Sequence, residues 1–222
     1  MTERIPPHDM LVAYAAGNLP EPLALLVATQ ASLNTDARRE LRLAESVGGT
    51  MLSELEPAPM GDNALDTVMA RIDGECGTSA EPAQTPSRDA VAAHGDAPPP
   101  LRQYIGSSEF EAVTWHERGG NIAEHRFLTR YQGYRTRLMR IGAGAKVPSH
   151  THEGSEYTLV LSGGFSDAGA DYSPGDLAIA DARVVHQPVA WPEQACICLT
   201  VLDGPVRLKG PLGRVLNFFV DF

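Results

Sequence analysis

Two histidines one residue apart, His150 and His152, are followed four positions later by Glu156, and a third histidine, His186, stands downstream. Successive side chains of a strand point to opposite faces, so His150 and His152 project from the same one. Gly154-Ser155 predicts a turn, after which Glu156 can open the next strand and swing its carboxylate back toward the two imidazoles. Imidazoles with a carboxylate are ligands for first-row divalent metals. With His186 as fourth ligand the set closes a tetrahedral Zn²⁺ site. The same residues around Fe²⁺, Mn²⁺ or Ni²⁺ would leave positions open to water or substrate. The bland alternative is a pair of solvated histidines on an edge strand; on a buried face a bare ligand cluster would be costly without a metal or partners.

The elements that must position these residues lie in the carboxy-terminal half. Val113-Trp115, Ile122-Phe127, Arg135-Ile141, Tyr157-Leu161, Leu177-Ala180, Cys196-Leu202 and Val215-Val220 are candidate strands, separated by Gly119-Gly120, Gly163-Gly164, Pro174-Gly175 and Gly213. Regular short strands with such punctuation predict a β-sandwich or barrel over 101–222. Cys196 and Cys198 share a face of one strand. If that face is the barrel interior they are candidate redox-sensing thiols beside the metal; otherwise they are small inert hydrophobes. Were the barrel an enzyme, Tyr157, Arg137 and Glu124 would be its acid/base candidates, although Tyr157 should face away from Glu156.

The amino-terminal half reads differently. Residues 9–30 predict two short helices, the first capped by Asp9 and ended by Gly17-Asn18, the second entered through Pro20-Glu21-Pro22. A third helix is expected from about Thr35 to Leu52, capped by Asn34 or Thr35, and a fourth from Asn63 to Asp73. Four short helices with a large apolar share make a poor free-standing core for residues 1–75 and call for a staple or a partner. Residues 76–100, rich in Gly, Ala, Pro, Ser and Thr, read as a linker in which Cys76 and His94 are inert. The expected architecture is multidomain α and β, a small helical bundle followed by a β-barrel.

Composition narrows the function. The chain has 222 residues and a net charge of −10, which disfavours direct nucleic-acid binding and suits a basic partner. No apolar run is long enough to span a bilayer, so no membrane role is expected. MTERIPPHDM lacks the basic and apolar segments of a signal peptide, and a cytoplasmic location is expected. Three cysteines are too few for a disulfide framework.

The pattern G-x5-H-x-H-x3-E-x6-G, at Gly144, His150, His152, Glu156 and Gly163, with Pro174-Gly175 and His186 later, resembles the two metal-binding motifs of the cupin superfamily. The likeness implies a double-stranded β-helix with His150, His152, Glu156 and His186 around one metal. The order of parts, with YAAG in the first helix, LLVATQASLN in the second, VGG in the third and CICL in a late strand, resembles the ChrR-type anti-sigma factors over nearly the whole chain. That implies an amino-terminal domain that sequesters an extracytoplasmic-function sigma factor, and a cupin that takes part in the response to singlet oxygen or related oxidants. No enzymatic activity is expected on this reading. A metal-dependent cupin dioxygenase or a small-molecule-binding cupin is the alternative. The family's helical domain holds zinc through an early histidine and a later H-x3-C-x2-C. Here His8 lies near the first position and Gln30, Asn34 and Ala37 fall on the later ones, so no amino-terminal zinc is expected. Gln30 and Asn34 either hydrogen-bond in place of the metal or face solvent. Pairing into a homodimer through sheet edges stays open.

Overall fold

The computed structural model describes residues 4–75, 95–129, 131 and 133–208; the expected strand Val215-Val220, Cys76 and His94 lie outside them. Helices α1 (His8–Ala15), α2 (Glu21–Leu33), α3 (Thr35–Ser53), α4 (Ala64–Glu75) and α5 (Pro99–Ile105) precede eleven strands: β1 (His116–Gly119), β2 (Ile122–Phe127), β3 (Arg135–Ile141), β4 (His150–His152), β5 (Glu156–Ser162), β6 (Phe165–Asp167), β7 (Ala170–Tyr172), β8 (Leu177–Ala180), β9 (Val189–Ala190), β10 (Cys196–Leu202) and β11 (Val206–Leu208). No helix among the described residues is long and apolar enough to cross a membrane.

Local chemistry accounts for the helix ends. Helix α1 starts after Pro7, not at an Asp9 cap; Asp9 lies inside its first turn, where a carboxylate favours the positive end of the helix. Gly17, at φ +70°, ends it, with its N–H donating to the Tyr14 carbonyl. Pro22 sits in the first turn of α2, where no N–H is needed. Asn34 caps α3, its Oδ1 accepting from the N–H groups of Asp36 at 2.9 Å and Ala37 at 3.0 Å. Helix α5 begins at Pro99, within the stretch expected as linker. Prolines that suggest an extended tether equally suit the opening of a helix, and Leu101 and Ile105 bury themselves.

The strands form an antiparallel six-stranded sheet in the order β1-β2-β3-β10-β5-β8, a three-stranded sheet β7-β6-β9 and a pair β11-β4. Bridges His150↔His186 and Lys146↔Val189 tie the smaller sheets into one opposing wall. Val113 only closes a 3₁₀ turn (Phe110–Ala112), so the first strand starts after the expected Val113-Trp115. Alternation along β3, β5 and β10 serves two cores. Met139, Val160, Cys196 and Cys198 face the barrel interior with Ile122, Phe165 and Tyr172. Leu138, Leu159, Leu199 and Val201 face outward and pack with Leu11, Leu23, Leu26, Leu101 and Phe110. The helices therefore cover the outer face of the large sheet, and one continuous core joins the two halves of the chain. Helix α2 is buried nearly all round because α1, α3, α5 and β10 all touch it. By contrast α3 leaves the body after Leu41, and Val47, Met51 and Leu52 are exposed with Leu65, Val68, Met69 and Ile72 of α4.

Candidate metal centre

Strand β4 is only three residues long, and all three are buried, with His150 and His152 on its inner face. The turn that follows passes very close to the chain at Asp203 and Gly204. A Cβ on Gly154 would lie on the Asp203 carboxylate and 3.1 Å from the backbone of both residues. The Ser155 N–H donates to that carboxylate, and Asp203 N–H returns a bond to the Ser155 carbonyl at 3.1 Å. The chain thus reverses tightly, and Glu156 opens β5 on the interior side. His186 reaches the same point from the segment after β8. Its N–H donates to the His150 carbonyl at 3.0 Å and its carbonyl accepts from the His150 N–H at 3.1 Å. This reciprocal backbone pair fixes two histidines, far apart in the chain, side by side.

His150, His152, Glu156 and His186, all buried, each turn one ligand atom to a common point, with those atoms within 4.8 Å of one another. The His152 Nε2 lies 3.1 Å from Glu156 Oε2 and 3.0 Å from His186 Nε2, while His150 Nε2 lies 3.7 Å from Glu156 Oε2. A tetrahedral ion with bonds of about 2.0–2.1 Å spaces its ligand atoms by about 3.3 Å. The outer nitrogens support the same arrangement. His150 Nδ1 meets the Pro148 carbonyl at 2.7 Å and His186 Nδ1 meets Asp167 Oδ2 at 2.6 Å. With protons at both Nδ1 positions, the Nε2 lone pairs face inward, the usual outer support of a metal-bound histidine. His152 Nδ1 is buried without a partner.

Burial drives the His152 pKa down to about 4, outweighing the pull of Glu156. Burial alone would raise Glu156, but the neighbouring imidazoles of His150 and His152 and the charge of Arg137 hold its carboxyl at about 2. His186 is raised: burial would lower it, but the Asp167 hydrogen bond and the Glu156 charge prevail. An ionised Glu156 and a neutral His152 are the protonation states that a metal requires. Thr158 Oγ1 donates to Glu156 Oε1 at 2.8 Å and holds the other carboxylate oxygen. The cluster therefore fits one divalent metal.

The remaining candidates fall in three places. Cys196 and Cys198 face the barrel interior, and Cys198 lines the cavity next to the histidines. The Cys196 thiol is pushed up by its hydrogen bond with Cys198 and by burial, which disfavours the reactive thiolate. Tyr157 faces outward against the helices. Glu124 is locked among guanidinium groups, accepting from Arg118, from Arg126 Nε at 2.5 Å and from Arg137 Nη1 at 3.1 Å. Burial would raise its carboxyl, but Arg137, Arg118 and Arg126 together keep it below its ordinary range, so it is no general acid.

At the amino terminus His8 is exposed and Ala37 is buried in the α3 packing. Gln30 is fully buried, and its Nε2 donates to the carbonyls of Arg4 at 2.7 Å and Gly175 at 2.9 Å. Asn34 Nδ2 donates to the same Gly175 carbonyl at 3.2 Å. The two amides thus bond the turn between β7 and β8 of the barrel, Gln30 fully buried and Asn34 half-buried. Arg4 completes the contact, its Nη1 lying 2.9 Å from Asp176 Oδ2 and its carbonyl accepting from the Leu177 N–H at 3.0 Å. Asp167 and the Arg118–Arg126–Arg137 group around Glu124 have no signature in the sequence, because both arise from strand register.

Residues 107–206 match the family model described as a ChrR Cupin-like domain. The anti-sigma-E factor ChrR of Cereibacter sphaeroides is 36% identical over 212 residues, covering 95% of this chain and 94% of its own. Among solved structures, the complex of Rhodobacter sphaeroides SigE with the anti-sigma ChrR aligns with a TM-score of 0.74 and 33% identity, over 91% of this chain and 100% of that one.

Proposed function

The chain belongs to the ChrR family of anti-sigma factors, and from that premise we propose that it sequesters an extracytoplasmic-function sigma factor through α4 and the distal half of α3. The observation that carries this reading is the exposed apolar face of those helices. Val47 is 56% exposed, Leu52 70%, Leu65 69% and Ile72 50%, whereas most large apolar side chains of the other described elements are buried. Large apolar side chains left in water along two helices mark a protein interface. Acidic residues border it, among them Glu45, Asp66 and Asp73, and the net charge of −10 suits the basic surface of a DNA-binding partner better than DNA itself. The protein acts in the cytoplasm, where that partner works, and has no enzymatic role. Co-expression of the full chain with an extracytoplasmic-function sigma factor encoded beside it is expected to yield a complex that co-purifies. Val68→Asp with Ile72→Asp should abolish capture without lowering the thermal stability of the free protein. Equal capture by that variant would refute the assignment.

The barrel in this proposal is the sensory half, responding to oxidants such as singlet oxygen. His150, His152, Glu156 and His186 would hold one Zn²⁺, whose four protein ligands close the coordination sphere as in structural sites. Bound there, the ion would tie β4, β5 and the segment after β8 together. The full-length protein is expected to carry about one equivalent of zinc. His152→Ala with His186→Ala should carry none, and Gln30→Ala should lose none. Cys196 and Cys198 are the candidate thiols, both buried in the barrel interior, with Cys198 on the cavity wall where a small uncharged oxidant could reach it. Ser at both positions is expected to leave sigma capture intact and to blunt its release by oxidant.

A further inference from the structure

Two cavities of the barrel meet at Arg137. The first, about 220 Å³, runs from the histidine cluster between Ile141, Val147, Phe165 and Tyr172. The second, about 260 Å³, opens beside Arg118 and Lys146 and shares Arg137, Met139, Val147 and His150 with the first as common walls. Charge separates them. The second carries Arg118, Lys146 and Arg137 against the single carboxylate of Glu124, whereas the first holds the Glu156 and Asp167 carboxylates at its histidine end and is otherwise walled largely by apolar and aromatic side chains, among them Ile141, Phe165 and Tyr172.

Arg137 is 6% exposed. Among the described residues its guanidinium bonds Glu124 alone, through Nη1 at 3.1 Å, and its Nε is buried with no partner. A guanidinium offers five N–H donors, and donors left unpaired in an interior are destabilising. Glu124 is shared with Arg118 and Arg126, which both bond its Oε1, and it takes one donor of Arg137. Arg118 and Arg126 are about two-fifths exposed, which leaves Arg137 as the buried cation of the group, with its Nε unpaired.

We infer that the barrel interior binds a small monocarboxylate with an apolar body, its carboxylate on Arg137 and its body in the cavity beside Phe165 and Tyr172. Size and polarity select this class. An apolar cavity of ~150 Å³ takes up benzene, so 220 Å³ suits a molecule of about eight or nine heavy atoms. A phosphate would lose its strong hydration to apolar walls, whereas a carboxylate matches a single guanidinium in charge and geometry. Binding needs nothing from α3 or α4, so it stands apart from sigma capture.

Calorimetric titration of the full-length protein with hexanoate and with benzoate tests this, with hexanamide and benzamide as uncharged counterparts. Saturable binding of the acids is expected, at least tenfold tighter than that of the amides. Arg137→Met should remove the preference for the acids. If that variant does not fold, Arg137→Met with Glu124→Gln removes cation and counter-ion together and should give the same result. Ala178→Phe, which fills the cavity, should abolish binding of acids and amides alike. Protein stripped of divalent ions, and still folded by circular dichroism, is expected to keep the preference. Equal binding of acids and amides, no saturable binding by the wild-type chain, an unchanged preference in a folded Arg137 variant, or loss of the preference with the metal would each overturn the inference.

Discussion

Arg126 and Arg137 stand opposite each other in the pairing of β2 with β3, an arrangement that like charges oppose. Glu124, two residues along β2, offsets it by accepting from both. Glu124→Gln should therefore destabilise the fold by about 3 kcal/mol at neutral pH, because it leaves the buried Arg137 guanidinium without its counter-charge. The sign with pH is fixed by the lowered carboxyl. A depressed folded pKa stabilises above the unfolded value near 4.5 and ceases to do so as pH falls through the folded one. Urea denaturation of both proteins should show the gap at pH 7 and its closure in acid; a constant gap would show that charge is not the cause. The convergence of His150, His152 and Glu156 was legible at this scale, because strand alternation and a tight turn constrain them. The Glu124 cluster was not, since only register brings Arg118, Arg126 and Arg137 to one carboxylate.

At the scale of elements, the β7–β8 turn is where barrel and helices are fastened. Gly175, at φ +88°, turns its carbonyl to the amides of Gln30 and Asn34, and Arg4 bonds the neighbouring Asp176. Gln30→Met keeps the volume and removes two donations, while Asn34 still satisfies Gly175. A loss of about 1–2 kcal/mol is expected, with faster amide hydrogen exchange confined to residues 172–177. Exchange unchanged there would mean that the turn holds its place without the amide. The helices themselves were legible from caps and periodicity, with α2, α3 and α4 close to their expected bounds. Helix α5 was hidden by its prolines, and β6, β7, β9 and β11 by their shortness, since two or three residues cannot display a period. That Gln30 and Asn34 bond the barrel could not be read from spacing, because their partner lies more than 140 residues away.

For the molecule as a whole, α1, α2, α5 and the first part of α3 share a core with the large sheet, so this body should unfold in one step despite its two-part sequence. Leu26→Ala in α2 and Leu199→Ala in β10, both fully buried, should each lower the same transition by about 2–5 kcal/mol, seen together by near- and far-ultraviolet circular dichroism. Two separated transitions would show the halves to be independent. The tail of α3 and α4 stand outside this cooperative body, with their leucines, valines and methionines in water. A copy of the protein with nothing over that rail is sticky to its own kind and open to proteases. Supply of the chain must therefore be matched to supply of whatever covers it, and surplus molecules should be the first to be cleared from the cell.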